Sequence, residues 1–212
     1  MFTRTVSTKV SVPISTKYLD EFFRSKCAPD VLPYFQCDNP TKEITESMSA
    51  LVHARKILGY ESSMRKDVIC LIPGDGVLPR TGALVAHKTK WNVLSIDPIM
   101  NIEKFVNMNL KHWVERLTVE RSQIENTIYK EIPCTVGVIL MVHSHASIKH
   151  ALKILRPRDR VIIVSIPCCK ENDLELESAI WGDAGIYSDK NLVYCWNIRR
   201  GCAGSEVVNW LS

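Results

Sequence analysis

The sequence lacks long apolar runs, low-complexity tracts and internal repeats over its 212 residues. A helix that crosses a bilayer needs about 20 consecutive apolar residues, so we expect a soluble protein that does not enter the membrane. No N-terminal stretch combines a basic start, an apolar stretch and a small-residue cleavage site, and the eight cysteines are irregularly spaced. These absences argue against a secreted, disulfide-bonded protein and favour an intracellular, cytoplasmic one.

Charge of one sign is also scarce, since the formal net charge is only +4. A small positive net charge is compatible with binding to a polyanion but does not identify a partner. The hydrophobic content of 46% is enough for one well-buried core. We therefore expect one compact unit, made of a strand and helical extension over residues 1–60 and a Rossmann-like domain over residues 61–212.

The N-terminal third contains one strong helix signal. Asn39 suits an N-cap, Pro40 suits the first helical position, and a helical stripe of apolar residues follows until Gly59. Weaker patterns predict an edge strand or arm over residues 5–14 and a short helix over residues 17–27.

From residue 67 onward, strand and helix signals alternate. Apolar runs predict strands over residues 67–72, 91–96, 116–120, 136–142 and 160–166. Helical patterns predict helices over residues 79–87, 101–114 and 148–155, the last ended by Pro157. A hairpin is expected from residues 186–187 and 192–198. Strands that carry apolar residues on both faces and alternate with helices indicate an α/β fold with a mostly parallel, Rossmann-like sheet and helices on both faces. The C-terminal hairpin is expected to be antiparallel.

A glycine turn follows the first of these strands. Gly74 and Gly76 leave room for backbone to approach a ligand, at the edge of the sheet where such folds bind ligands. The spacing excludes a phosphate loop, because five residues separate Gly76 from Gly82 and no lysine follows. It also departs from a dinucleotide fingerprint, because Pro79 stands at the third glycine position. Asp97 ends the next strand, 21 residues after Gly76, where a carboxylate can accept both hydroxyl protons of a ribose.

This order of elements over roughly residues 67–198 resembles the class I methyltransferases that use S-adenosylmethionine. The resemblance implies that Gly74, Asp75 and Gly76 lie beside the methionine and ribose part of the cofactor and that Asp97 binds the ribose hydroxyls. Ile72 stands where that class usually has an acidic residue. Either Asp75 replaces that residue, or cofactor binding is altered or lost.

Histidines and cysteines follow two neighbouring strands. His143 and His145 come after the strand over residues 136–142, and Cys168 and Cys169 come after the strand over residues 160–166. Histidine can accept a proton near neutral pH, so we take His143, His145 and Cys168 as candidate catalytic residues. Zinc binding by the two histidines and two cysteines is an alternative. We expect no metal, because adjacent cysteines are awkward joint ligands and the spacing matches no common zinc motif.

His143 and the cysteine pair also resemble a family of tRNA methyltransferases that modify a ribose 2'-hydroxyl in the acceptor stem. That family carries histidine, cysteine and glycine after its fourth strand, where this sequence has His143, Ser144 and His145. The sequence therefore predicts an S-adenosylmethionine-dependent methyltransferase with RNA as the expected substrate class. The alternative is a catalytically silent member of the fold that binds a protein or nucleic-acid partner.

Overall fold

The computed structural model describes residues 14–109, 114–169, 174 and 178–199. Within these residues, seven strands form one sheet: β1 (Val68–Pro73), β2 (Asn92–Ile96), β3 (Leu117–Glu120), β4 (Ile132–Val142), β5 (Leu155–Ile166), β6 (Ala179–Gly182) and β7 (Leu192–Arg199). The same residues include six α-helices: α1 (Lys17–Arg24), α2 (Ala28–Val31), α3 (Pro40–Leu58), α4 (Arg80–Lys88), α5 (Ile102–Asn109) and α6 (Ile148–Ile154). Short 3₁₀ helices span Leu32–Phe35, Tyr60–Met64 and Ile124–Asn126.

The strands lie in the order β3-β2-β1-β4-β5-β7-β6. The first five strands pair in parallel, whereas β7 is antiparallel to both β5 and β6. Consecutive side chains of β1 enter two different cores, since Cys70 and Ile72 join one apolar cluster and Leu71 joins the other. Helices thus cover both faces, and the predicted Rossmann-like fold class is confirmed.

Helix α3 confirms its predicted caps. The Asn39 side chain accepts a hydrogen bond from the Lys42 backbone N–H at 3.1 Å, and Gly59 ends the helix with a φ of 88°. Nine of its residues are buried, including Glu46. The helix shares one apolar core with α1, α4 and the central strands. It therefore carries side chains from the N-terminal extension into the body of the sheet domain.

Several predicted boundaries are wrong. The first hairpin strand is β6 at Ala179–Gly182, rather than residues 186–187. The chain from Asp183 onward instead folds over the sheet, where the Asp183 carboxylate meets side chains of α1 and α3. Helix α6 ends at Ile154, and β5 already includes Pro157, which pairs with Cys134 beside a register shift.

The remaining helices differ in length from their predictions. Helix α1 ends at Arg24 rather than at residue 27, because the Ser25 hydroxyl donates a hydrogen bond to the Phe22 carbonyl and the chain turns into α2. Helix α5 is shorter than the predicted 101–114, although residues 110–113 lie outside the described residues. The predicted strand over residues 5–14 lies outside them as well, apart from Ile14. Within the described residues, no helix combines the length and apolar character that a membrane crossing requires.

Candidate functional site

The glycine turn has the backbone conformation that its sequence predicts. Gly74 and Gly76 have φ values of 76° and 85°, a region that other residues rarely adopt. The Gly74 N–H donates to the Ile96 carbonyl at 2.7 Å, which ties the turn to the end of β2. A Cβ at Gly74 would overlap the side chain of Ser144, so that side chain closes one flank of the turn.

Asp97 lies directly beside this turn. One of its carboxylate oxygens accepts a hydrogen bond from the Gly76 N–H and the other accepts one from the Ile99 N–H, each at 2.8 Å. The residue is 6% exposed. Each carboxylate oxygen has a second lone pair, so the group retains capacity for two further donors.

Asp75 is directed away from the edge of the sheet. Its carboxylate accepts hydrogen bonds at 2.9 Å from the N–H groups of Thr81 and Gly82 and from the Ser95 hydroxyl. These contacts cap the first turn of α4. Burial raises the pKa of Asp75 to about 6, although the three hydrogen bonds oppose this shift. The Asp75 carboxylate is thus engaged with α4, and any contact of this residue with a ligand at the turn would come from its backbone.

Arg80 covers the other flank of the glycine turn. Its Nη2 atom lies 3.0 Å from the position of a Cβ at Gly76 and 3.4 Å from Oε2 of Glu43 on α3. The guanidinium therefore joins the turn to α3. Arg80 and Ser144 together narrow the approach to the backbone of the turn, while Val77 and Ile99 remain exposed beside it.

His143 forms a pair with a buried carboxylate. Its Nε2 lies 2.6 Å from Oε1 of Glu46, whose side chain is fully buried and also lies 3.2 Å from the Lys42 ammonium. A carboxylate only accepts, so the contact places a proton on Nε2, and in the neutral imidazole Nδ1 then carries the lone pair. That Nδ1 is buried and has no hydrogen-bond partner among the residues that the structure describes.

The backbone of His143 is strained as well. Its φ of 51° makes it the one non-glycine residue with a positive φ in the described part of the chain. The His143 N–H nevertheless donates to the Ile166 carbonyl at 2.9 Å, which extends the β4–β5 pairing. Strained backbone of this kind is concentrated at functional sites.

His145, Cys168 and Cys169 meet at the same edge. The Nε2 atom of His145 lies 3.1 Å from Sγ of Cys168 and 3.4 Å from Sγ of Cys169, and the two sulfur atoms are 3.3 Å apart. The structure thus brings together three of the four residues that the sequence placed there. The His143 imidazole is the exception, since it faces α3, although the His143 carbonyl lies 3.9 Å from Sγ of Cys168.

A second polar cluster surrounds Asp183, which follows β6. The Asp183 carboxylate accepts hydrogen bonds from Lys17 Nζ at 2.6 Å, Ser49 Oγ at 2.7 Å, His53 Nε2 at 3.1 Å, the Gly185 N–H at 3.0 Å and the Tyr18 hydroxyl. Burial raises the pKa of Asp183, but the hydrogen bonds from His53 and Lys17 outweigh it and hold the pKa well below its usual range. We call these residues the Asp183 cluster.

A pocket of about 580 Å³ lies against the Asp183 cluster. The Trp181 ring stacks on the His53 imidazole with centroids 5.5 Å apart. Trp181 and Tyr60 are exposed, and Lys17, Lys56 and Glu21 line the same pocket. Aromatic and cationic side chains therefore share this surface.

Sequence reasoning missed the two carboxylates that matter most here. Glu46 interrupts the otherwise small or apolar buried residues of α3, and such an acid inside a buried helix was a usable signal. Asp183 gave no comparable signal, because its partners are up to 166 positions away in the sequence.

No protein-family model matches the sequence, and a comparison with curated proteins finds no relative. Solved structures do match its fold, at TM-scores below 0.5 in each of the three described below. A variant of MtNAS in complex with S-adenosylmethionine is 14% identical over 88% of this chain and 76% of its own, with a TM-score of 0.47.

Two further matches come from named organisms. Phosphoethanolamine N-methyltransferase 1 of Haemonchus contortus, in complex with phosphoethanolamine and S-adenosylhomocysteine, is 12% identical over 92% of this chain and 51% of its own, with a TM-score of 0.46. A cyclopropane-fatty-acyl-phospholipid synthase-like protein from Lactobacillus casei is 16% identical over 71% of this chain and 58% of its own, with a TM-score of 0.45. The chain thus spans little more than half of these two proteins. The narrower likeness to a tRNA methyltransferase family finds no counterpart among these three structures.

Proposed function

We propose that this chain binds S-adenosylmethionine and catalyses methyl transfer. One observation carries the proposal: the Asp97 carboxylate faces the Gly74–Gly76 turn at the carboxyl edge of a Rossmann-like sheet, 2.8 Å from the Gly76 N–H. A carboxylate one strand away from a glycine turn suits the ribose of a nucleoside.

The residues at the turn fit such a ligand in part. Asp97 has two lone pairs left for the ribose hydroxyls, and exposed Val77 and Ile99 offer apolar surface beside it. Asn101, whose N–H donates to the Val77 carbonyl at 2.9 Å, lines a separate pocket of about 380 Å³ that none of the turn residues lines. The Asp75 carboxylate is engaged with α4, so we assign the ribose contact to Asp97 alone. When bound, the cofactor would supply an electrophilic methyl group.

His143 is the candidate to accept the proton of the methyl acceptor. Glu46 fixes the ring through Nε2, which leaves the lone pair on Nδ1. An acceptor hydroxyl that reached Nδ1 would provide the hydrogen-bond partner that this buried atom lacks. Orienting the acceptor against the methyl group would supply much of the remaining rate.

We further propose RNA as the acceptor class. The pocket beside the Asp183 cluster combines exposed Trp181 and Tyr60 with Lys56, whereas the Lys17 ammonium is engaged by Asp183. Aromatic rings can stack on unpaired bases, and ammonium groups can bind phosphates.

Thermal unfolding in the presence of candidate ligands tests the cofactor assignment. A ligand at a hundred times its dissociation constant stabilises the folded state by about 2.7 kcal/mol. We expect S-adenosylmethionine and S-adenosylhomocysteine to raise the Tm by several degrees and NAD to leave it unchanged. Equal shifts with all three ligands, or no shift with any, would count against the assignment.

The second candidate function is a catalytically silent binding module. It is favoured by buried Ile72 at the usual acidic position, by the engagement of Asp75 with α4, and by the Ser144 and Arg80 side chains that flank the turn. This alternative predicts that the protein does not bind S-adenosylhomocysteine but does retain a defined protein or RNA partner.

A further inference from the structure

His145, Cys168 and Cys169 form the one group in the described part of the chain in which three or more histidine, cysteine or acidic donors lie close enough to share an ion. Their donor atoms lie 3.1 to 3.4 Å from one another. Two sulfur atoms and one imidazole nitrogen are soft and borderline donors, which favour Zn²⁺ over Mg²⁺ or Ca²⁺.

The spacing of the donors is close to that of a tetrahedral zinc site. Zinc–sulfur bonds of about 2.3 Å and zinc–nitrogen bonds of about 2.0 Å place two sulfur ligands about 3.8 Å apart and a sulfur and a nitrogen about 3.5 Å apart. The observed separations are shorter by about half an ångström or less. Side-chain rotations are enough to open the three donors by that amount, because His145 and Cys169 are exposed.

The sheet fixes the two loops that carry these donors. Val142 and Ile166 are paired at the ends of β4 and β5, so His145 and the two cysteines begin from adjacent strand ends. The site is therefore built by the fold, and the 22-residue gap between His145 and Cys168 does not have to be closed by a flexible chain.

We propose that His145, Cys168 and Cys169 bind one Zn²⁺ ion, with the fourth position taken by a donor from outside these three residues. Two Zn–S bonds and one Zn–N bond form, and the thiol protons are released to solvent without any redox change. This replaces the expectation of a metal-free site, which was drawn from the adjacency of the two cysteines and from motif spacing. The proposal does not depend on methyl transfer.

Titration of the reduced, metal-free full-length protein with Co²⁺ tests the site, since Co²⁺ reports on zinc-type coordination by its absorption. We expect one equivalent to bind, with a thiolate-to-cobalt charge-transfer band in the near ultraviolet and tetrahedral bands in the visible. Zn²⁺ should displace Co²⁺ and abolish the charge-transfer band and the visible bands. No charge-transfer band, or a band that needs many equivalents, would overturn the proposal.

Variants separate this site from the other thiols. Cys168→Ser and Cys169→Ser should each lower the affinity at least 100-fold, whereas His145→Ala should lower it about 10-fold and retain a charge-transfer band. Cys37→Ser is the matched control, because Cys37 is also a partly exposed free thiol but lies outside the cluster. Circular dichroism verifies that each variant is folded. Equal Co²⁺ binding in the wild type and in Cys168→Ser would show that the thiolates elsewhere in the chain, and not this cluster, hold the metal.

Discussion

His53 and His143 each pair with a buried carboxylate, Asp183 and Glu46 respectively. The two pairs differ in how many other groups contact the carboxylate. The Asp183 carboxylate receives four side-chain donors and one backbone N–H. Among the described residues, the Glu46 carboxylate has two partners: His143, which lies within hydrogen-bond distance of Oε1, and the Lys42 ammonium, which forms an ion pair with Oε2.

This difference separates a structural acid from one suited to chemistry. A carboxylate with five donors has its lone pairs occupied, and its histidine serves as one cross-link among several. A carboxylate with two partners can respond when the charge on its histidine changes. On the proposed function, the Asp183 cluster would serve stability and the Glu46–His143 pair would serve the reaction.

The largest expected effect is loss of the Asp183 cluster. Asp183→Asn should lower the free energy of unfolding by about 3–5 kcal/mol, because the buried donors of Tyr18, Ser49 and Gly185 lose a charged acceptor and the Lys17 ammonium loses its ion-pair partner. Urea denaturation followed by tryptophan fluorescence measures this change. Asp189 also precedes β7 but is exposed, so it serves as the control. The free energy of unfolding of Asp189→Asn should stay within about 0.5 kcal/mol of the wild type.

The stability from Asp183 should also depend on pH in one direction. Its pKa in the folded state is held below the ordinary value of 3.8, so its contribution is present above that pH and is lost as the pH falls below it. A wild-type protein that keeps its full stability well below pH 3.8 would contradict the role of this cluster.

The next largest effect concerns the Glu46–His143 pair. His143→Gln should reduce methyl transfer at least 100-fold because it removes the proton acceptor. The measurement follows radioactive methyl groups from S-adenosylmethionine into RNA and small-molecule fractions, and S-adenosylhomocysteine binding should change less than threefold.

Glu46→Gln distinguishes positioning from direct catalysis. It keeps a side chain of the same size but removes the charge that orients the imidazole, so kcat should fall about 10-fold while KM stays the same. An equal loss in stability and activity would instead mean that Glu46 only supports the fold.

The smallest effect concerns the glycine turn, which again contains a structural acid and a candidate ligand-binding acid. The Asp75 carboxylate accepts three hydrogen bonds, whereas the Asp97 carboxylate accepts two. Asp75→Ala should lower the free energy of unfolding at pH 7 by about 1–3 kcal/mol, because three donors at the start of α4 lose their acceptor.

This deficit should grow as the pH falls from 7 to 4.5. The pKa of Asp75 is raised to about 6 in the folded state, so the wild type gains stability as Asp75 becomes protonated and loses it as the pH rises through 6. A deficit that shrinks over the same range would mean that Asp75 is not the buried group that titrates.

Local patterns were enough to predict the five parallel strands, the caps of α3 and the position of Asp97 beside the turn. These features depend on periodicity and on the fixed register of neighbouring strands. The residues that the sequence did not reveal depend on tertiary contacts instead, since Glu46 meets His143 across 97 positions and Ser49 meets Asp183 across 134. Asp75 shows the same limit, because its sequence position suited a ligand while its carboxylate turned toward α4.

Calorimetric titration of the folded protein with S-adenosylhomocysteine tests the central claim most directly, with Asp97→Asn and the control Asp189→Asn measured alongside. The account predicts binding of one equivalent, weakened at least tenfold in Asp97→Asn and unchanged in Asp189→Asn. Absence of binding in the wild type, or equal affinity in all three proteins, would contradict it.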